Sequence, residues 1–219
     1  MYGQFFILFG LILVGYYCNK KGYLPLETNK NVGHMVMRVT IPAMLITTIA
    51  SIEITDRVLR AFLLSAAGQI AMMVVFGFLM RQYGRKRGLD SRLLPMLDLT
   101  AGSLNTGFIG LPVTMIFFGQ AGIIYMSAGV LALNLYLWSY GVYLISDKKA
   151  TGAAAIGKSF LQGAINPNCI SILLGLLLAV THTARFVPTV VLGFLTKVGD
   201  LSTPLSLIYI GALAGGSGI

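Results

Sequence analysis

Apolar runs of bilayer-crossing length, separated by short basic connections, fill most of the 219 residues. A helix needs about 20 predominantly apolar residues to cross the hydrocarbon core. Seven runs qualify, at roughly 4–19, 31–52, 59–80, 93–118, 121–145, 167–184 and 189–215. The pattern predicts an all-α, polytopic membrane protein with about seven transmembrane helices. Short connections such as Phe118-Gly-Gln-Ala-Gly122 predict antiparallel neighbours.

The fourth run differs from the others. It holds Asn105-Thr-Gly-Phe-Ile-Gly-Leu-Pro112, so Gly107, Gly110 and Pro112 follow a carboxamide within one apolar segment. Glycine frees the backbone, and proline removes a donor and clashes with the preceding turn. A membrane helix tolerates such a break where protein or a wet cavity satisfies the freed groups. Broken helices near the midplane are where secondary transporters hold substrate. The stretch is therefore expected to line a permeation site. The alternative is a tightly packed helix, with glycines for close approach and Asn105 bonding to a neighbour.

Charge adds an orientation. Only 11% of residues are charged, against 56% hydrophobic, where soluble domains carry roughly 25% charged residues. The formal charge of +9 raises nucleic acid as a partner, but the basic residues lie between apolar runs rather than in one patch, so none is predicted. Lys20, Lys21 and Lys30, then Arg81, Arg85, Lys86, Arg87 and Arg92, then Lys148, Lys149 and Lys158 fall in odd-numbered connections. Only Arg57, Arg60 and Arg185 stand opposite. Basic connections stay cytoplasmic, which predicts an N-terminus outside. Cys18 and Cys169 then fall at cytoplasmic ends and are expected as free thiols.

An internal repeat is visible. Val39-Thr-Ile-Pro42-Ala-Met-Leu-Ile46 lines up with Leu201-Ser-Thr-Pro204-Leu-Ser-Leu-Ile208, Tyr23-Leu-Pro25 with Phe186-Val-Pro188, and Leu8-Phe-Gly10-Leu with Leu173-Leu-Gly175-Leu. Five spans separate the copies, so the two units must face opposite ways, as in many secondary transporters. The expected division is 1–150, a first repeat of five helices including the broken fourth, and 151–219, two helices of an inverted second repeat. The partner of the broken helix would lie beyond Ile219.

Asn105-Thr-Gly-Phe-Ile-Gly-Leu-Pro112 followed by Gly119-Gln-Ala-Gly122 resembles the auxin efflux carrier family. So do Gly22-Tyr-Leu-Pro25, Ile41-Pro42, Asn166-Pro167 and Thr203-Pro-Leu-Ser-Leu-Ile208. That family includes the plant PIN auxin exporters and bacterial permeases for malate and related acids. The short connection after the fifth span looks like the bacterial members. The resemblance implies a ten-helix, crossed-helix transporter fold of two inverted five-helix repeats. It implies a scaffold of the first, second, sixth and seventh helices, to which Pro42 and Pro204 would belong, dimerising through the second and seventh. It also implies a moving domain whose broken helices cross near the substrate. This chain lacks the last three helices of that plan.

The polar residues divide by role. Substrate contacts are expected at Asn105, Thr106, Gly107, Gly110 and Pro112, with Asn134 either facing the same cavity or bonding to a neighbouring helix. Ser103 and Thr106 have the alternative of returning hydrogen bonds to their own helix. Asp98 is the candidate for coupling to a proton or sodium ion, or else a carboxylate paired with a basic side chain near the boundary. Arg38 and Asp200 each stand four residues before their repeat's proline. Arg38 has three readings: attracting an anion, snorkelling, or pairing with a carboxylate. Lys197 and Asp200, at i and i+3, are spaced to neutralise each other. Tyr140 and Trp138 are among aromatics placed as interfacial anchors. No HExxH, phosphate-binding loop or Cys/His cluster appears, so no enzyme activity, catalytic residue, metal site or cofactor is predicted.

The expected function is a permease for small organic anions, malate-type carboxylates or auxin-like acids, working by alternating access in a plasma or bacterial inner membrane. Two alternatives stand beside it. One is a truncated, non-transporting scaffold or assembly subunit; the other is a sodium-coupled carrier of the related bile-acid type.

Overall fold

A computed structural model describes residues 2–145 and 165–216. Lys148, Lys149 and Lys158, the 150/151 boundary and the last three residues lie outside the described residues. The described chain is helical, with no strand. Five of its stretches are long and apolar enough to cross a membrane: Tyr2–Lys20, Leu26–Ala50, Asp56–Lys86, Leu94–Leu144 and Thr189–Gly216.

We label the helices α1 (Tyr2–Lys20), α2 (Leu26–Ala50), α3 (Asp56–Lys86), α4 (Leu94–Gly102), α5 (106–118), α6 (120–145), α7 (Pro167–Val180), α8 (Thr189–Asp200) and α9 (Ser202–Gly216). The 51 residues of Leu94–Leu144 would reach about 77 Å if straight, more than twice the roughly 30 Å hydrocarbon core. They fold back instead. Gly119 has φ 63° and ψ −158°, a conformation essentially restricted to glycine. Gly110 meets Met126, Gly102 meets Tyr136, and Asp98 bonds to Tyr140. Each pair straddles the glycine almost symmetrically, so α4–α5 and α6 form an antiparallel helical hairpin. α4 in turn runs back along α3, with Gly84 against Leu94 and Gly77 against Asp98.

The structure moves some expected boundaries. α3 continues to Lys86, so Arg81 is a helical residue and not part of a connection. The sixth run forms only the 14 residues of α7 before a 3₁₀ turn at Thr183–Phe186. The seventh is divided at Leu201 into α8 and α9.

Two prolines share one local device. The Ile41 N–H reaches back five residues to the Val36 carbonyl just before Pro42, and the Leu111 N–H reaches Thr106 just before Pro112. A proline ring collides with the carbonyl four residues back. Widening one turn to π geometry moves that carbonyl away and keeps the chain helical. Pro204 follows a true break instead, where the Leu201 N–H bonds to Val198.

α2 is the centre of the packing. Ile41 through Leu45 are all buried, together with Leu111, Ile123, Ile124 and Ile172 from α5, α6 and α7. Lipid tails are as apolar as leucine, so membrane helices associate through close packing of small residues rather than through a hydrophobic drive. α1 lies along α9, and α7 along the C-terminal half of α2. A methyl on Gly15 would collide with the Ile208 carbonyl, and one on Gly211 with the Ile12 carbonyl. On Gly175 it would stand 3.3 Å from the Ile46 carbonyl and 2.9 Å from the Ile49 Cβ. Ile46 and Ile208, aligned in sequence, thus each present a carbonyl to a glycine of the helix packed on it. Gly10, aligned with Gly175, has open space around it.

Candidate functional site

The break falls at Ser103-Leu104-Asn105. Ser103 (φ −79°, ψ 98°) and Asn105 (φ −79°, ψ 71°) leave helical geometry. α4 before it and α5 after it span about 14 and 20 Å at 1.5 Å per residue, so the break interrupts the crossing near its middle. The Ser103 N–H still bonds to Leu99, at 2.8 Å, and Thr106 N–H turns tightly onto Leu104, at 2.9 Å. Asn105 then caps α5: its Oδ1 accepts the Phe108 N–H at 3.1 Å. Its backbone carbonyl accepts from the Gly110 N–H at 3.0 Å. The capping oxygen is thereby engaged, whereas Asn105 Nδ2 has no hydrogen bond among the described residues. The Asn105 side chain is exposed, and Thr106 beside it is buried.

Three helices hold the start of α5. A methyl on Gly107 would lie 3.3 Å from the Met37 sulfur of α2. One on Gly110 would collide with Met126 of α6. Phe108 stacks on Tyr209 of α9 with ring centroids 4.5 Å apart. Pro112 is buried in the turn that follows. These contacts fix the N-terminal end of α5, whose free amides and dipole favour negative charge. Ser103 and Thr106 make no side-chain hydrogen bond back to their own helices among the described residues, so that alternative is not what the geometry displays.

Asn134 is level with Asn105 across the hairpin, but its side chain is spent elsewhere. Nδ2 donates to the Val130 carbonyl at 2.8 Å, and Oδ1 accepts from Asn166 Nδ2 at 3.3 Å. Asn166 Oδ1 in turn accepts from the Asn168 N–H at 2.9 Å and caps α7. Asn134 therefore ties α6 to the start of α7, the second of its two sequence alternatives.

Asp98 is 1% exposed and well partnered. It accepts the Tyr140 hydroxyl at 2.9 Å and the Tyr136 hydroxyl at 3.4 Å, and Arg81 Nη1 stands 3.6 Å away. Glycines open the space: a methyl on Gly77 would strike the Asp98 carboxylate, and one on Gly102 the Tyr136 hydroxyl. Pairing with a basic side chain is one of the two sequence readings of Asp98, and Arg81 fills that role; which basic residue, and the two tyrosines, sequence reasoning missed. Tyr140 was expected as an interfacial anchor and Arg81 as part of a connection. The i, i+4 spacing of Tyr136 and Tyr140 is the signal that was present.

Two further expectations change. Lys197 and Asp200 form no ion pair among the described residues; both are exposed, and Asp200 also lines a cavity against α2. Arg38 is exposed, also without an ion pair among the described residues. Cys18 and Cys169 are free thiols, as expected.

Comparison with known proteins agrees with this architecture. An uncharacterized transporter of Methanothermobacter thermautotrophicus is 26% identical over 204 residues, which cover 92% of this chain and 64% of the relative. The chain thus spans just under two-thirds of that relative's length. The membrane transport protein family matches residues 1–215, nearly the whole chain. With its long apolar helices and this match, the chain is an integral membrane protein and belongs to the membrane transport protein family, that of the auxin efflux carriers.

Proposed function

We propose that the protein is a secondary transporter that moves small organic anions, carboxylates of the malate or auxin-like type, by alternating access. The observation that carries this is the break at Ser103–Asn105, which ends one helix and starts another midway through a crossing. Helix N-termini at such breaks orient anionic groups in transporters. Among the described residues Asn105 Nδ2 is a donor without a partner at that point, and Thr106, Gly107, Gly110 and Pro112 shape the path around it.

The packing of α1 on α9 and of α7 on α2 supports an inverted repeat, because the aligned Ile208 and Ile46 each present a carbonyl to a glycine of the helix packed on them, although Gly15 and Gly175 are not themselves aligned. The membrane is a plasma or bacterial inner membrane with the N-terminus outside. Labelling of a cysteine at position 120 only after permeabilisation would contradict that orientation. A homodimer through the second and seventh spans would use exposed Val190 and Phe194, since Ile41 through Leu45 are already covered within the chain. Cross-linking of a cysteine at position 194 to its copy would test it; a protein that stays monomeric in mild detergent would not support it.

Uptake by the full-length protein in proteoliposomes tests the function. Labelled dicarboxylates and aromatic monocarboxylates are expected to exchange across the membrane with saturable kinetics. Failure of every small carboxylate to exchange would overturn the proposal.

A further inference from the structure

A cavity of about 140 Å³ lies between α2, α8 and the outer end of the hairpin. Its polar lining is Thr47, Thr48, Ser51, Gln120, Thr196 and Asp200. The volume is below the roughly 300 Å³ at which small-molecule pockets usually begin. Most of the lining is oxygen, with the Gln120 carboxamide and the Thr48 hydroxyl as its remaining donors. A hydroxyl has one hydrogen and two lone pairs. Thr47 donates its hydrogen to the Ala43 carbonyl at 2.9 Å, Ser51 to Thr48 at 2.8 Å, and Thr196 to Leu192 at 2.8 Å. What these three groups have left to offer is lone pairs. No basic side chain among the described residues lines the cavity.

Three observations add to this. Asp200, exposed at the rim, brings a carboxylate with no ion pair among the described residues, and an ionisable residue within a membrane span is a candidate for an ion path. Thr48 is 4% exposed, lines the cavity and makes no side-chain hydrogen bond among the described residues. α8 also ends at Asp200, so its last backbone carbonyls add oxygen lone pairs there, its dipole being offset by α9, which starts at Ser202. A methyl on Gly199 would come within 2.8 Å of the Met44 backbone, which shows how closely the end of α8 is pressed onto α2.

We propose that this cavity is a sodium site, in which the Asp200 carboxylate and the hydroxyl oxygens around it hold the cation that accompanies the substrate. Hard cations take six or more oxygens, and divalent sites usually gather several carboxylates; one carboxylate among hydroxyls suits a single charge. A proton would need the carboxylate alone and leaves the surrounding oxygens without a purpose. The charged groups on α8 and α2 besides Asp200 are Lys197, Glu27, Lys30 and Arg38, and none of them pairs with Asp200 among the described residues. The site would take the coupling role from Asp98, whose carboxylate is already occupied by Arg81, Tyr136 and Tyr140.

The coupling part rests on the transport proposal, but binding can be read without substrate. Thermal unfolding of the full-length protein in detergent would be compared in sodium chloride and choline chloride at equal ionic strength. The expected result is a melting temperature several degrees higher in sodium. Asp200→Asn and Thr48→Val should lose that rise, while Asp200→Glu and Asp98→Asn keep it. Uptake driven by an inward sodium gradient would then test coupling separately. No sodium effect on the wild-type protein, or the same effect in Asp200→Asn, overturns the site. A stability that responds to acidification but not to sodium overturns it too. Sodium binding without carboxylate uptake leaves the site standing and removes the transport proposal instead.

Discussion

The carboxylate of Asp98 on α4 accepts the hydroxyl of Tyr140 on α6 at 2.9 Å, across the helical hairpin. Arg81 of α3 closes on the same carboxylate at 3.6 Å, so one buried group joins three helices. Hydrogen bonds to charged groups contribute about 1.5–3 kcal/mol each. Tyr140→Phe is therefore expected to destabilise the protein by about that amount, read as a lower melting temperature in detergent. Uptake per folded molecule should stay near the wild-type rate. A large loss of uptake at unchanged stability would show that this cluster acts in transport and does not merely clamp the helices.

Gly119 turns the hairpin with φ 63° and ψ −158°. Side chains in that region cost on the order of 1–3 kcal/mol. Gly119→Ala should lower stability by about that much, although nothing lies within 4 Å of the added methyl. The penalty is thus conformational and not steric. A melting temperature equal to wild type would mean that the turn is made in some other way.

Gly15 and Gly10 lie on the same helix and separate packing from composition. A methyl on Gly15 strikes the Ile208 carbonyl, whereas Gly10 has nothing within 4 Å. Gly15→Ala is expected to cost about 1–3 kcal/mol, as overpacking does, and Gly10→Ala to cost nothing or to stabilise slightly through helix propensity. Equal effects at the two positions would contradict the packing of α1 on α9.

Much of this was visible in the sequence. The break at Asn105 announced itself because Gly107, Gly110 and Pro112 are local backbone effects, and local effects are written in adjacent residues. The turn at Gly119 was legible for the same reason. The partners of Asp98 were not, because Arg81 and Tyr140 reach it from other helices, and apolar runs carry no register between helices. Lys197 and Asp200 illustrate the opposite error. Their spacing permits a pair on one helix, but Asp200 borders the cavity against α2 and Lys197 does not line it. The role of Thr47, Ser51 and Thr196 was likewise hidden, since it depends on where each hydroxyl hydrogen points.

Asn105 tests the central claim most directly, because its two side-chain atoms have separable jobs. Oδ1 caps α5 through the Phe108 N–H, while Nδ2 has no protein partner among the described residues. Asn105→Leu removes both and should lose about 0.5–2 kcal/mol of capping as well as uptake. Asn105→Asp keeps the cap and suits the helix N-terminus, but replaces the donor with a negative charge. Uptake of a labelled dicarboxylate by proteoliposomes, measured beside thermal stability in detergent, would read the difference. The account predicts that Asn105→Asp unfolds at or above the wild-type temperature and transports no dicarboxylate. Wild-type uptake by Asn105→Asp would contradict it and leave Asn105 as a helix cap alone.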